Sequence, residues 1–229
     1  MKLNALLAGA ATALCVMGAG VSANAAIVFN FGSHTGNLGT SETYTVSGLS
    51  IVAKGYTPGG NATDLYGKNA GGDETGLGLA NDPSGDHEIA YGMGFVQLDV
   101  SQLFGNVVAA STFFSTNSTT GTEKWAVYGS NVAGSFSGPA LLAGTVETSQ
   151  LLPNFGSYKY YDFVELTHSS WNNEEDGDNK GGVQNFLIHD ITTVTAVPEP
   201  ATWAMMLVGF FGLGGLMRSN RRQATALTA

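Results

Sequence analysis

The chain has 229 residues, enough for one sizeable domain, and its composition combines 43% hydrophobic residues with 32 glycines and only 12% charged residues. The formal net charge is −9. An acidic chain lacks the basic face that nucleic-acid binding requires, so we expect no nucleic-acid partner. A low content of charged residues and a high content of glycine favour a β-rich exported protein over a helical cytoplasmic one.

The first 25 residues have the three parts of a secretory signal peptide. Lys2 supplies the positive charge, and Ala5–Val21 is a nearly continuous apolar stretch. Ala23 and Ala25 are the small residues of an A-x-A cleavage site. We therefore predict a signal helix over residues 1–25 that signal peptidase removes.

The single cysteine, Cys15, lies inside the predicted signal peptide. After cleavage the chain has no cysteine, which excludes a disulfide, a thiol nucleophile and a cysteine-ligated zinc site. The stability of the mature protein must then come from its core or from bound ions.

Short apolar segments separated by glycine-rich turns predict strands throughout residues 26–196. The clearest are Ile27–Phe31, Tyr44–Val46, Leu49–Lys54, Phe95–Val100, Val107–Ser115, Lys124–Gly129, Leu141–Val146, Tyr158–Leu166 and Val183–Val194. No long stretch of this region follows a helical period. Many short strands with such turns predict an all-β domain, a single β-sandwich.

Two acidic segments are candidates for binding calcium, which takes six to eight oxygen ligands. In the first segment, Asp82, Asp86 and Glu88 lie close together and lead into the apolar Ile89, so we expect these carboxylates on an anchored turn. The second segment, residues 172–178, is looser. Neither has the EF-hand spacing, and the alternative is a solvated acidic loop.

The segment Glu123–Leu142, followed by the tyrosine-rich Tyr158–Leu166, resembles the galactose-binding-like jelly roll of discoidin-type modules. The resemblance implies a jelly-roll-like sandwich and does not by itself imply sugar binding. Trp125 lies within a strand pattern, so we expect it in the core.

Trp171 lies in a polar segment beside Asn172. An exposed tryptophan with an amide neighbour can stack on the apolar face of a sugar ring and hydrogen-bond its hydroxyls. The alternative is a tryptophan that folds back over an edge of the core. No G-x-S-x-G motif nominates a serine nucleophile and no carboxylate pair can be singled out, so we assign no catalytic residue.

The C-terminal tail predicts a membrane helix over residues 201–217, which are mostly apolar. Trp203 falls near the membrane interface, where tryptophan is enriched. Three arginines follow at once: Arg218, Arg221 and Arg222. Because cationic residues stay on the cytoplasmic side, residues 223–229 would form a cytoplasmic tail and the β-domain would lie outside.

A plain anchor does not explain the tripeptide Pro198-Glu199-Pro200, whose prolines hold the chain extended before the helix. Tripeptide, apolar helix and arginine cluster, in that order over 197–222, resemble the PEP-CTERM sorting signal, in the variant with Trp-Ala-Met-Met-Leu after the tripeptide. The resemblance implies processing by an exosortase, an integral-membrane enzyme that cuts near the tripeptide. It makes Pro198, Glu199, Pro200 and Trp203 recognition residues.

The resemblance also implies a bacterium that makes exopolysaccharide and biofilm. The sequence therefore predicts an exported protein, transiently held in the inner membrane, with a final place at the cell surface or in the matrix. Its expected role is non-enzymatic binding or structuring of exopolysaccharide. The alternatives are a secreted hydrolase of matrix polysaccharide and a purely structural matrix protein.

Overall fold

The computed structural model describes residues 25–119, 123–145, 147, 149–166, 185–196 and 207–211. Within it, Ala25–Ala196 forms one compact unit. The described strands of this unit, in chain order, are β1 Ala26–Asn30, β2 Gly36–Gly39, β3 Ser41–Val46, β4 Leu49–Tyr56, β5 Ala62–Thr63, β6 Leu65–Asn69, β7 Thr75–Leu79, β8 Ile89–Ala90, β9 Phe95–Asp99, β10 Phe113–Asn117, β11 Trp125–Ser130, β12 Leu142–Gly144, β13 Ser149–Leu151, β14 Tyr160–Glu165 and β15 Asn185–Val194. The described 3-10 helices are Phe31–Ser33, Ser101–Leu103 and Ala109–Ser111.

The strands form two antiparallel sheets. In the described residues, sheet A has the order β13-β10-β15-β7-β6-β2, and both β1 and β8 also pair with β15. Sheet B has the order β12-β11-β14-β9-β4-β3, and β5 pairs with β4. The long strand β15 therefore joins early and late parts of the chain in one sheet.

The core lies between the two sheets. Phe114 of sheet A makes edge-to-face contacts with Trp125 and Phe163 of sheet B, with ring centroids 5.4 and 5.3 Å apart. Trp125 is 1% exposed, so the prediction that it lies in the core is confirmed. Packing of inward-facing side chains from two sheets is what defines a β-sandwich, and this part of the fold prediction is confirmed as well.

Two parts of the strand prediction need correction. Residues 107–112 are not a strand: Val107 makes an isolated bridge and Ala109–Ser111 is a 3-10 helix, so β10 begins only at Phe113. Strands β2, β5, β6, β7, β8 and β13 were not predicted. Strands β6 and β7 were missed because Leu65–Asn69 and Thr75–Leu79 carry glycines where strand patterns normally show branched or aromatic residues.

Residues 207–211, which belong to the predicted membrane helix over 201–217, are helical. None of the helices in the described part of the chain is both long and apolar enough to cross a membrane. The remaining residues of the predicted span lie outside the described residues.

Candidate functional site

The outer face of sheet A carries a charged cluster at strand β6. Because side chains alternate along a strand, Leu65 and Gly67 face the core while Tyr66 and Lys68 point to the other side. Lys68 Nζ lies 2.5 Å from Glu88 Oε1 and also forms an ion pair with Glu74.

Ser118, at the end of β10, completes this cluster. Its Oγ lies 3.0 Å from Glu74 Oε1 and 2.9 Å from Glu88 Oε1. We call Lys68, Glu74, Glu88 and Ser118 the Lys68 cluster. It connects β6, the start of β7, the segment before β8 and the end of β10 through a single set of hydrogen bonds.

The two carboxyl groups of the Lys68 cluster have opposite pKa shifts. Burial raises the pKa of Glu88 to about 7, because a side chain only 2% exposed loses the hydration of its charged form, and Lys68 and Ser118 offset only part of that loss. The hydrogen bond from Lys68 lowers the pKa of Glu74. Glu74 is thus the anion of the pair at neutral pH, while Glu88 is close to its titration midpoint.

Asp82 fixes the loop that leads to Glu88. Its carboxylate accepts hydrogen bonds from the Ser84 amide at 3.0 Å, the Ser84 hydroxyl at 2.6 Å and the Glu88 amide at 3.1 Å. His87, in the same loop, has a φ of 62°, a conformation that a non-glycine residue holds only when its surroundings determine it. The loop is therefore anchored, as the sequence suggested.

The three predicted calcium ligands have different surroundings. Asp82 is used within its own loop, Glu88 contacts Lys68, and Asp86 is exposed. Across the described residues, no group of three or more His, Cys, Asp or Glu side chains is arranged to hold a metal ion. Calcium binding stays a prediction, and the described geometry supplies no ligand set for it.

A groove of about 540 Å³ lies over β6, beside the Lys68 cluster. Its lining includes Thr35, Tyr66, Lys68, Asn69, Asp86 and His87. The Tyr66 and His87 rings stack with their centroids 3.9 Å apart.

Glycines on both faces of sheet A are in close contact with neighbouring loops: Gly67 faces the core, and Gly78, the register partner of Tyr66, faces the groove. A Cβ at Gly67 would collide with the His34 carbonyl oxygen, and a Cβ at Gly78 would collide with the His87 carbonyl oxygen. The glycines that weaken the strand patterns of β6 and β7 thus let two loops pack directly on the sheet.

The outer face of sheet B also carries a buried acid, Asp162. Gln97 Nε2 donates to Asp162 Oδ1 at 2.7 Å, and Gln97 Oε1 accepts from the Gly134 amide at 3.1 Å. Asp162 is 0% exposed, and burial raises its pKa to about 7. Its Oδ2 has no hydrogen-bond partner in the described part of the chain. We call Gln97 and Asp162 the Asp162 pair.

Most other predicted site residues lie outside the described residues. These are Ala23, Trp171, Asn172, Pro198, Glu199, Pro200, Trp203, Arg218, Arg221 and Arg222. Ala25 is described, and its carbonyl oxygen accepts a hydrogen bond from the Thr195 amide at 3.1 Å. That carbonyl belongs to the bond that signal peptidase would cut, so cleavage there would have to precede or interrupt this contact.

Sequence reasoning missed Lys68, Ser118 and Tyr66 as members of a site. Tyr66 and Lys68 alternate with Leu65 and Gly67, which is a strand signal, but the glycine weakened it. The members of this cluster could not be read together from the sequence, because Glu88, a partner of Lys68, and Ser118, which bonds to Glu88, lie 20 and 50 residues beyond Lys68.

Comparison with known families identifies the tail. Residues 196–222 match the family model described as the PEP-CTERM protein-sorting motif. No curated protein matches the chain, and no solved structure matches it either. The motif implies export, a membrane-associated tail and processing by exosortase. The resemblance of the tail to this sorting signal is therefore confirmed: the chain carries the PEP-CTERM protein-sorting motif at residues 196–222.

Proposed function

We propose that this protein is delivered by signal peptidase and exosortase to the cell surface or extracellular matrix, where its β-sandwich binds or structures exopolysaccharide without catalysing a reaction. The observation that carries the proposal is the PEP-CTERM motif at residues 196–222, placed directly after a β-sandwich unit that ends at Ala196. A sorting tail of this kind is useful only if the folded domain that precedes it acts outside the inner membrane. We further propose that this unit is jelly-roll-like.

The alternative is a hydrolase acting on matrix polysaccharide, and one observation favours it. Glu88 lies beside a groove and has a pKa of about 7, as a general acid requires. Against this, a glycosidase needs two carboxyl groups that face the sugar. Glu88 is 2% exposed and its Oε1 contacts Lys68 and Ser118, so the contacts support a structural role for this acid.

The sorting part is tested by fractionating cells of the native host that express the wild type or Glu199→Ala. We expect the wild type in the surface or matrix fraction and Glu199→Ala retained in the inner membrane. Gln223→Ala, beyond the arginine cluster, is the matched control and should sort as the wild type does. Equal sorting of wild type and Glu199→Ala would contradict the proposal.

The binding role is tested with the processed protein recovered from the surface fraction. We expect it to sediment with isolated matrix polysaccharide and to release no reducing sugar from it. Release of reducing ends that Glu88→Gln abolishes would favour the hydrolase.

A further inference from the structure

We propose that the groove over β6 is the glycan-binding site, and that it selects uncharged or amine-bearing sugars over uronic acids. This inference rests on the proposed polysaccharide-binding function and assigns it to a particular surface. The residues that would contact the sugar are Thr35, Tyr66, Asp86 and His87, which line the groove.

The groove combines the two surfaces that a sugar ring requires. A sugar has an apolar face of C–H groups and an edge of hydroxyls, so its sites pair aromatic rings with precisely placed polar groups. Tyr66 and His87, stacked at 3.9 Å, provide the aromatic surface. The side-chain oxygens of Thr35, Tyr66 and Asp86 make no hydrogen bond or ion pair within the described residues, so they are available to a ligand.

The charge of the groove argues for the class of sugar. Lys68 is the one lysine or arginine among the lining residues that the structure describes. Its charge is already compensated, because it pairs with both Glu74 and Glu88. Asp86 is exposed in the same groove and has no cation partner among the residues that the structure describes. A uronate carboxylate would therefore meet an uncompensated negative charge, whereas a hydroxyl or an ammonium group could bond to Asp86.

The groove is also held in shape before any ligand arrives. Asp82 fixes the loop that carries Asp86 and His87 through three hydrogen bonds. Gly78 lets this loop pack directly on the outer face of the sheet, because a Cβ there would collide with the His87 carbonyl oxygen. A site ordered in advance loses less conformational entropy on binding.

The experiment uses the processed protein recovered from the surface fraction and three soluble probes measured by calorimetry. Laminarin is a neutral glucan, chitosan oligosaccharide carries amines, and alginate carries uronates. We expect binding to laminarin or to chitosan oligosaccharide, with affinity for alginate at least tenfold weaker. Tyr66→Ala should lower the affinity at least tenfold, and Asp86→Asn should weaken chitosan binding more than laminarin binding.

Two exposed residues outside the lining, Tyr91 and Asp73, provide matched controls as Tyr91→Ala and Asp73→Asn, and both should bind as the wild type does. Tyr66→Phe keeps the ring and removes only the hydroxyl, so it tests the site even if Tyr66→Ala unfolds. Binding by the wild type with Tyr66→Phe, Tyr66→Ala and Asp86→Asn all unchanged would overturn this assignment while leaving the proposed function standing. Alginate bound as tightly as the other probes would overturn the selectivity. A wild type that binds none of the three would overturn the binding function itself, and the inference with it.

Discussion

Glu88 on sheet A and Asp162 on sheet B are both buried on the outer face of their sheet, and the two carboxyl groups are held differently. Glu88 on sheet A has a cation, a hydroxyl and a second carboxylate around it. Asp162 on sheet B has a single side-chain partner, the neutral amide of Gln97, within the described residues. Burial raises the pKa of each to about 7. The comparison shows that the same raised pKa can arise in two ways. The surroundings of Glu88 include a cation that stabilises its charged form, whereas those of Asp162 favour its neutral form.

The largest effect that separates the two arrangements should come from Asp162→Asn. Because the pKa of Asp162 is raised from 3.8 to about 7 on folding, its neutral form favours the folded state. That contribution is complete below about pH 4 and is lost as the pH rises to about 7. The asparagine stays neutral, so the variant's free energy of unfolding should exceed that of the wild type by about 4 kcal/mol at pH 8, with no difference below pH 4.

Urea unfolding followed between pH 4 and pH 8 measures this difference directly. Asp86→Asn, on an exposed side chain, is the control and should follow the wild-type curve. If Asp162→Asn lost stability at pH 8, the account of Asp162 as a neutral buried acid would be wrong.

The second effect is the loss of the cation from the Lys68 cluster. Lys68→Met leaves the carboxyl of Glu88, 2% exposed, without its ion pair and should lower the free energy of unfolding by about 3 kcal/mol at pH 8. The cost should shrink as the pH falls through about 7, where Glu88 takes up a proton. Lys124→Met, on an exposed lysine, should cost little at any pH, and an equal cost for both variants would show that the cluster contributes nothing specific.

The third effect tests the glycine on which the loop carrying His87 packs. Gly78→Ala puts a methyl group against the His87 carbonyl oxygen, and backbone cannot move aside as a flexible side chain can. We expect a loss of about 2 kcal/mol in urea unfolding. Gly59→Ala would meet only an Asn61 side-chain nitrogen at 3.6 Å and should be close to neutral.

The smallest effect should come from Ser118→Ala, which removes a hydroxyl that serves two carboxyl groups. We expect a loss of about 1 kcal/mol at neutral pH. Since the hydrogen bond from Ser118 holds the pKa of Glu88 down, the Glu88 titration should also move to higher pH, which NMR of the carboxyl carbons would detect. Ser137→Ala, on an exposed serine, should change neither quantity.

Features that depend on one continuous segment of the chain were predicted well from the sequence. The sorting tail is one such feature, because tripeptide, apolar run and arginines follow each other within residues 197–222. Strands with alternating or continuous apolar residues, such as Phe95–Asp99, were placed within a residue or two of their bounds.

The candidate site could not be predicted, because it depends on contacts between distant parts of the chain. The spacing of Asp82, Asp86 and Glu88 in the sequence suggests a set of metal ligands. In the structure, however, Asp82 accepts hydrogen bonds within its own loop and Glu88 forms an ion pair with Lys68. The strand that carries Lys68 was itself not predicted. Gly67 in this strand allows the His34 backbone to approach closely, but glycine has a low strand propensity and so weakens the sequence pattern.

The intact mass of the protein recovered from the cell surface tests the central claim most directly. The account predicts a chain that begins at or near Ala26 and ends near Pro198-Glu199-Pro200, without the residues that follow. A surface form whose mass still includes Trp203 through Arg222 would contradict the claim that exosortase processing delivers the β-sandwich.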